Sequence, residues 1–99
     1  MNKVFLIGTI INNIEFKFII NSKNISVAKF TIKTEDKQEI KIEANNEVAD
    51  FAYSKLEKDF VVLIEGYISK NIVKALKIVI FSKNRLKTIK NYKMLKNDL

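Results

Sequence analysis

Apolar and polar residues alternate along most of this chain in the pattern typical of β-strands. In segment 25–33, for example, Ala28, Phe30 and Ile32 alternate with more polar residues, as expected where successive side chains face opposite ways. Segment 3–11 is continuously apolar and rich in β-branched residues, which predicts a strand buried on both sides. We predict strands over six segments, 3–11, 14–20, 25–33, 38–43, 59–69 and 72–81.

Before the last two segments the period changes from two to that of an α-helix. Val48, Ala52 and Leu56 recur at helical spacing, and Asn45 or Asn46 can cap the first turn. We therefore predict a helix over 46–57. Segment 14–20 resumes the strand character of 3–11 after a turn or bulge signal at Asn12 and Asn13. Counting these two segments as one, we interpret the order as three strands, the helix and two strands, which is the OB arrangement. The predicted fold class is all-β, a five-stranded OB-fold barrel with one helix between strands 3 and 4.

Residues 82–99 differ in composition from the rest of the chain. They carry six Lys or Arg against one acid and so hold +5 of the net charge of +7. Leu86, Ile89 and Tyr92 recur at roughly helical spacing, which favours a basic amphipathic helix; a frayed tail is the alternative. We predict an OB domain over 1–81 and a basic C-terminal extension over 82–99.

The composition removes several kinds of chemistry. The chain has no cysteine, which excludes disulfides and thiolate metal sites, and no histidine, the commonest general base. Its two glycines, Gly8 and Gly66, lie in predicted strands, where they mark bends or close approach rather than a phosphate loop. The acidic pairs within 35–36 and 57–59 fall in predicted charged connections. We predict no enzymatic activity, no metal site and no cofactor.

The net charge of +7 and the pI of about 9.6 favour an anionic partner, either nucleic acid or a membrane surface. The many Lys, Asn and Ile residues have an alternative explanation, which is the codon bias of an AT-rich genome. No run approaches the roughly 20 apolar residues that a membrane span needs, and no secretory signal is visible. We therefore predict a cytoplasmic protein without a membrane partner or small-molecule substrate.

Five segments resemble bacterial single-stranded DNA-binding proteins, in the same order along the chain. The most specific pair is Met1–Gly8, which is similar to their first strand, and Ile64–Gly66, which is similar to their fourth. The matching segments are 1–8, 14–18, 26–32, 56–59 and 61–66. The resemblance covers about residues 1–81. It implies an OB fold, binding of single-stranded DNA by base stacking and charge, and oligomers formed through the sheet that contains the first strand.

The chain also departs from that family. It has no Trp, and Glu39 and Asn45 stand where the family often has aromatic residues. The last hairpin has shrunk to about 69–71, and Leu99 closes a basic tail instead of an acidic tip ending in Phe. The chain also resembles, in architecture, the primosomal PriB-type proteins, which are dimers of this fold without that tip.

Binding of single strands requires a positive groove for phosphates and flat side chains on which bases stack. Lys29, Lys33 and Lys41, with Thr31 between the first two, are predicted to track phosphates; a solvated strand face is the alternative. Phe16, Phe18 and Tyr67 are candidates for stacking, although the two Phe residues fit a barrel or interface role equally well. The candidate nucleic-acid-binding residues are Lys17, Lys29, Thr31, Lys33, Lys41, Phe16, Phe18, Tyr67, Lys70, Arg85 and Lys87.

The first functional hypothesis is non-catalytic, sequence-independent binding of single-stranded DNA in replication, repair or recombination, by a homodimer or homotetramer. The second is an OB-fold interaction or assembly module in which DNA binding is weak or lost. The third is an RNA-binding OB module, which the sequence does not separate from the first.

Overall fold

A computed structural model describes residues 2–20 and 23–83 of the chain. Within these residues, six strands and one helix follow in the predicted order. They are β1 (Lys3–Ile10), β2 (Glu15–Ile19), β3 (Ile25–Lys33), β4 (Glu39–Asn45), α1 (Asn46–Lys55), β5 (Val61–Ser69) and β6 (Ile72–Ser82). The helix ends two residues earlier than predicted, because Leu56 already has extended backbone angles.

Five of the strands form a closed barrel in the order β1-β5-β6-β4-β3, and β1 closes it by pairing with β3. Neighbouring strands are antiparallel except β4 and β6, which run parallel. Along the chain, α1 lies between the third and fourth barrel strands, so the predicted OB-fold is confirmed. The sixth strand, β2, is segment 14–20 of the sequence pattern. It lies outside the ring and extends the sheet beyond β3.

The core is built from the inward positions of the strands. On β3, Ala28, Phe30 and Ile32 are buried while Lys29 and Lys33 are exposed, so the predicted alternation is confirmed there. Removing each large aliphatic side chain from water contributes about 1.5–3 kcal/mol. The largest fully buried side chains are Ile10, Ile32, Ile42, Ile64 and Val62.

A buried serine ties α1 to the barrel. The Ser26 hydroxyl donates to Oδ1 of Asp50 at 2.8 Å and also lies 3.2 Å from the backbone carbonyl of Asn46. Ala49 and Ala52 bury their small side chains in the same core. These contacts fix the helix against the inner side of β3, which leaves the outer side of that strand open.

The two glycines lie where the backbone of a neighbouring strand approaches closely and leaves little room for a side chain. At Gly66 a Cβ atom would lie 2.1 Å from the carbonyl oxygen of Lys74, where the pairing of β5 with β6 is irregular. At Gly8 it would lie 3.0 Å from the carbonyl oxygen of Lys33. The predicted turn at Lys70 has φ of 51° at that residue and 66° at Asn71, and left-handed angles at both positions suit a two-residue hairpin.

The last strand, β6, ends at Ser82, and the structure describes the predicted C-terminal extension only as far as Lys83. Arg85, Lys87 and the amphipathic pattern that begins at Leu86 lie outside the described residues. In the part of the chain that the structure describes, no helix combines the length and apolar character needed to cross a bilayer.

Candidate nucleic-acid interface

The outer side of β3 and β4 carries an open groove of about 420 Å³. We call the outward residues of these two strands, Lys29, Thr31, Lys33, Lys41 and Glu43, the charged face. The groove is lined by polar and apolar residues together, namely Asn12, Glu15, Lys29, Thr31, Lys41 and Glu43 with Phe30, Ile42 and Ile72. The structure thus brings together Lys29, Thr31 and Lys41, which were proposed from the sequence. Lys33, also proposed, lies two residues after Thr31 on β3.

One row of residues runs across the outside of all six strands. Residues paired directly across strands share a face of the sheet, so the pairing register defines this row. In spatial order it is Glu15, Lys29, Glu43, Lys74, Tyr67 and Lys3. Positive and negative charges alternate over the first four positions, and Tyr67 lies between two lysines.

Glu43 joins two lysines of this row. Its Oε2 accepts a short hydrogen bond from the Lys74 ammonium, and its Oε1 lies 3.9 Å from Nζ of Lys29. The Glu43 side chain is only 16% exposed, so solvent screens these pairs less than it would on an open surface. One carboxylate therefore offsets part of the charge of both lysines.

Two lysines of the charged face, Lys33 and Lys41, differ from Lys29 in their surroundings. Among the described residues, no carboxylate lies within ion-pair distance of Lys33 or Lys41. Lys41 pairs across the strands with Thr31, and Lys33 pairs with Glu39 without an ion pair. These two ammonium groups, both on exposed residues, are the most available partners for phosphate on this face.

Asn12 holds the segment before β2 against the groove. Its side-chain oxygen accepts the backbone N–H of Thr31 at 2.9 Å, and its amide nitrogen lies 3.3 Å from the Thr31 hydroxyl. Asn12 is not among the candidate residues proposed from the sequence, because its partner Thr31 lies 19 residues away along the chain. The Thr31 hydroxyl, proposed as a phosphate contact, is thus already in contact with a protein amide.

The candidates on β2 divide between its two faces. Lys17 faces outward on the same side as Glu15, opposite Val27 of β3. Phe16 points to the other side and stacks on Tyr53 of α1, with ring centroids 4.4 Å apart. Phe18 shares that side and is 59% exposed. The two Phe side chains therefore do not lie beside the lysines of the charged face.

The remaining candidates lie farther from the groove. Tyr67 is half-buried on β5, within the row of charges, and Lys70 is exposed at the tip of the β5–β6 hairpin. Phe30 borders the groove but is only 2% exposed. Among the described lining residues there is consequently no exposed aromatic ring, and Tyr67 is the nearest aromatic along the row.

The outer side of β1, β5 and β6 differs sharply from the charged face. Ile7, Leu63 and Val79 are paired neighbours across these strands, and Phe5 is next to Ile7 on the same side of β1. Phe5 is 63% exposed and Ile7 is 53% exposed. We call these four residues the apolar face. Glu65 and Lys77 lie directly across the strands from Phe5 and border this face. Exposed apolar residues rimmed by polar ones in this way mark an interaction surface.

No protein-family model matches the sequence, and no curated protein matches it at a significant level. Solved structures are similar in fold. A deletion variant of the single-stranded DNA-binding protein from Thermus aquaticus has a TM-score of 0.72 and 20% identity over 81% of this chain and 40% of that one. The wild-type protein has a TM-score of 0.74 and 19% identity over 85% and 42% of the two chains.

A third similar structure is a smaller one, the SSB domain of a Synechococcus protein. Its TM-score is 0.70, with 15% identity over 79% of this chain and 93% of that one. The chain thus spans about two fifths of the Thermus aquaticus chains and nearly all of the Synechococcus domain. The protein is therefore a divergent OB-fold of the form found in single-stranded DNA-binding proteins.

Proposed function

We propose that this protein binds single-stranded DNA without sequence preference and without catalysis, through the charged face. The observation that carries the proposal is the pair Lys33 and Lys41, which form no ion pair with a described carboxylate. Lys41 lines the groove, and Lys33 lies on the same outer side of β3, opposite Glu39. Structures of this fold from Thermus aquaticus belong to single-stranded DNA-binding proteins, which supports the same partner for this chain.

The expected mechanism is mainly electrostatic. Each phosphate neutralised on a single strand contributes about −0.7 to the slope of log K against log salt. Stacking adds about 1–3 kcal/mol per base where an aromatic ring is available. On the described surface the groove is lined by Lys29 and Lys41. The nearest aromatic residue is Tyr67, which pairs with Lys74 in the row that crosses the six strands. We therefore expect modest affinity with a pronounced dependence on salt.

A titration of fluorescently labelled oligo-dT at about 50 mM and about 200 mM salt tests the proposal. We expect micromolar or tighter affinity at low salt, and about threefold weaker binding with a shallower salt slope for Lys41→Ala. Lys55→Ala is the matched control, since Lys55 lies in the last turn of α1 and outside the groove. The absence of binding at low salt would exclude the proposal.

Oligo-U and duplex DNA of equal length complete the comparison. RNA is the alternative ligand of the same surface, because phosphates and stacked bases are common to both polymers. Preference for oligo-U over oligo-dT would replace DNA by RNA in the proposal. The proposal also includes participation in replication, repair or recombination, and residence in the cytoplasm.

A second candidate function is that of an assembly module, and the apolar face favours it. An exposed Phe and Ile on adjoining positions of β1 would be covered if two copies paired through this surface. Pairing of this kind gives the homodimer or homotetramer expected from the sequence, and several barrels together would bind a long strand more tightly than one. Self-association without measurable affinity for either nucleic acid would favour this function over the first.

A further inference from the structure

The strand β2 presents an open edge with exposed apolar side chains beside it. β2 pairs with β3 on one side, and no other described strand pairs with its second edge. Phe18 is 59% exposed, Ile19 is 44% exposed and Ile20 is 82% exposed. Such an edge, with free backbone groups and apolar side chains, is a template on which another strand can pair.

We propose that β2 pairs antiparallel with β2 of a second copy of this chain, around a two-fold axis at Phe16. A two-fold axis places identical edges side by side in antiparallel orientation. In this register Glu15 lies opposite Lys17 of the second copy, and Lys17 lies opposite its Glu15. Both charges face the same side of β2, so two oppositely charged cross-strand pairs form at each contact.

The charges select this register over its neighbours. Directly opposed residues share a face of the sheet, so the two-fold axis passes through a residue position and the register shifts in whole steps. An axis at Lys17 would oppose two lysines, and an axis at Glu15 would oppose two glutamates. An axis at Phe18 would place Lys17 opposite Ile19. Only the axis at Phe16, among these four, pairs opposite charges twice.

The second face of the strand supports the same arrangement. With the axis at Phe16, Phe18 lies opposite Ile14 of the second copy, and the two Phe16 rings meet at the centre. Phe16 is already held by its stack on Tyr53, so it is positioned before the copies meet. The exposed Phe18 loses contact with water in the pairing, which favours association.

A lysine on an edge strand usually discourages pairing with another chain. Here Glu15 lies two residues before Lys17 on the same face. Because of this spacing, Lys17 can pair with Glu15 of a second copy in one register only. The β2 edge is separate from the apolar face of β1, β5 and β6. If both surfaces pair, two distinct two-fold contacts join the copies into a closed tetramer or an open assembly.

Disulfide crosslinking of the full chain without DNA tests the register. The natural sequence has no cysteine, so an introduced cysteine is the only thiol of its copy. Directly opposed residues have Cα atoms about 4.5–5.5 Å apart, within the range of a disulfide. In the proposed register a mixture of Glu15→Cys and Lys17→Cys copies places the two thiols directly opposite each other, whereas either variant alone does not. Lys55→Cys, on the last turn of α1, reports random collisions.

We expect the mixture to crosslink about ten times faster than either variant alone or the collision control. Equal rates in all samples, or the fastest rate for Lys17→Cys alone, would overturn the proposal. Charge reversal gives an independent reading by sedimentation of the DNA-free protein. Lys17→Glu should weaken association about tenfold, and Glu15→Lys combined with Lys17→Glu should restore it. Failure of the double variant to restore association, with both variants folded by circular dichroism, also counts against the proposal.

Discussion

The charged face and the apolar face lie on the same barrel but are built from opposite kinds of residue. β3 and β4 turn Lys29, Lys33 and Lys41 outward, whereas β1 and β5 turn Phe5 and Leu63 outward. Both faces rest on the same apolar core. The barrel therefore holds its shape from within, and its outer positions are free to specialise for different partners.

The two faces meet along the row of paired residues that crosses the barrel. On β5, Glu65 lies beside Phe5 and Leu63 of the apolar face. Tyr67, two residues later, pairs with Lys74 in the row that crosses the six strands. The pairing of β5 with β6 shifts between Glu65 and Gly66. A bulge changes the local twist of a strand, so this irregularity marks the boundary between the two surfaces.

The largest effect is expected from Gly66→Ala at that boundary. The new Cβ atom would lie 2.1 Å from the carbonyl oxygen of Lys74, which belongs to the backbone and cannot rotate away. We expect a loss of about 3 kcal/mol in the free energy of unfolding, measured by urea denaturation. Gly8→Ala is the comparison, because its nearest atoms, the flexible end of Ile32 and the carbonyl oxygen of Lys33, both lie 3.0 Å away rather than 2.1 Å. Equal losses for the two variants would show that the boundary at Gly66 is not specially constrained.

The boundary also shows how far the sequence could predict the molecule. The period of two assigned Lys29, Thr31 and Lys33 to the outer side of a strand, because that period is a local property of the chain. It could not assign a partner to Glu43, since Lys74 lies 31 residues away and reaches it through the parallel pairing of β4 with β6. Long-range register of this kind has no signal in the alternation of a single strand.

The aromatic candidates illustrate the same limit. Alternation along β2 puts Phe16 and Phe18 on one side of the strand and Lys17 on the other, in agreement with the pairing register. Which of these two sides faces the groove depends on where α1 packs, and Tyr53 of that helix stacks on Phe16. A local pattern thus predicts which residues share a side, and tertiary packing decides what that side contacts.

A charge placed in the apolar face should convert it into a second polar surface. If copies pair through this face, Ile7→Asp would carry an unpaired carboxylate into the contact, at a cost of about 2 kcal/mol in the free energy of association. Sedimentation at several protein concentrations measures this. Lys41→Ala, on the charged face, should leave association unchanged. An association constant that Ile7→Asp does not alter would mean that the copies do not meet through the apolar face.

The smallest effect is expected from Glu43→Gln, which tests what limits the affinity of the charged face for single-stranded DNA. Glu43 neutralises part of two lysines, so its replacement by an uncharged amide leaves Lys29 and Lys74 both available to phosphate. We expect single-stranded DNA to bind about threefold more tightly at low salt, with a steeper salt dependence, and a loss of less than about 1 kcal/mol in stability. Glu57→Gln changes the net charge equally but lies after α1, away from the groove. If both variants tighten binding equally, net charge alone sets the affinity; if only Glu43→Gln does, the paired carboxylate at the centre of the row limits it.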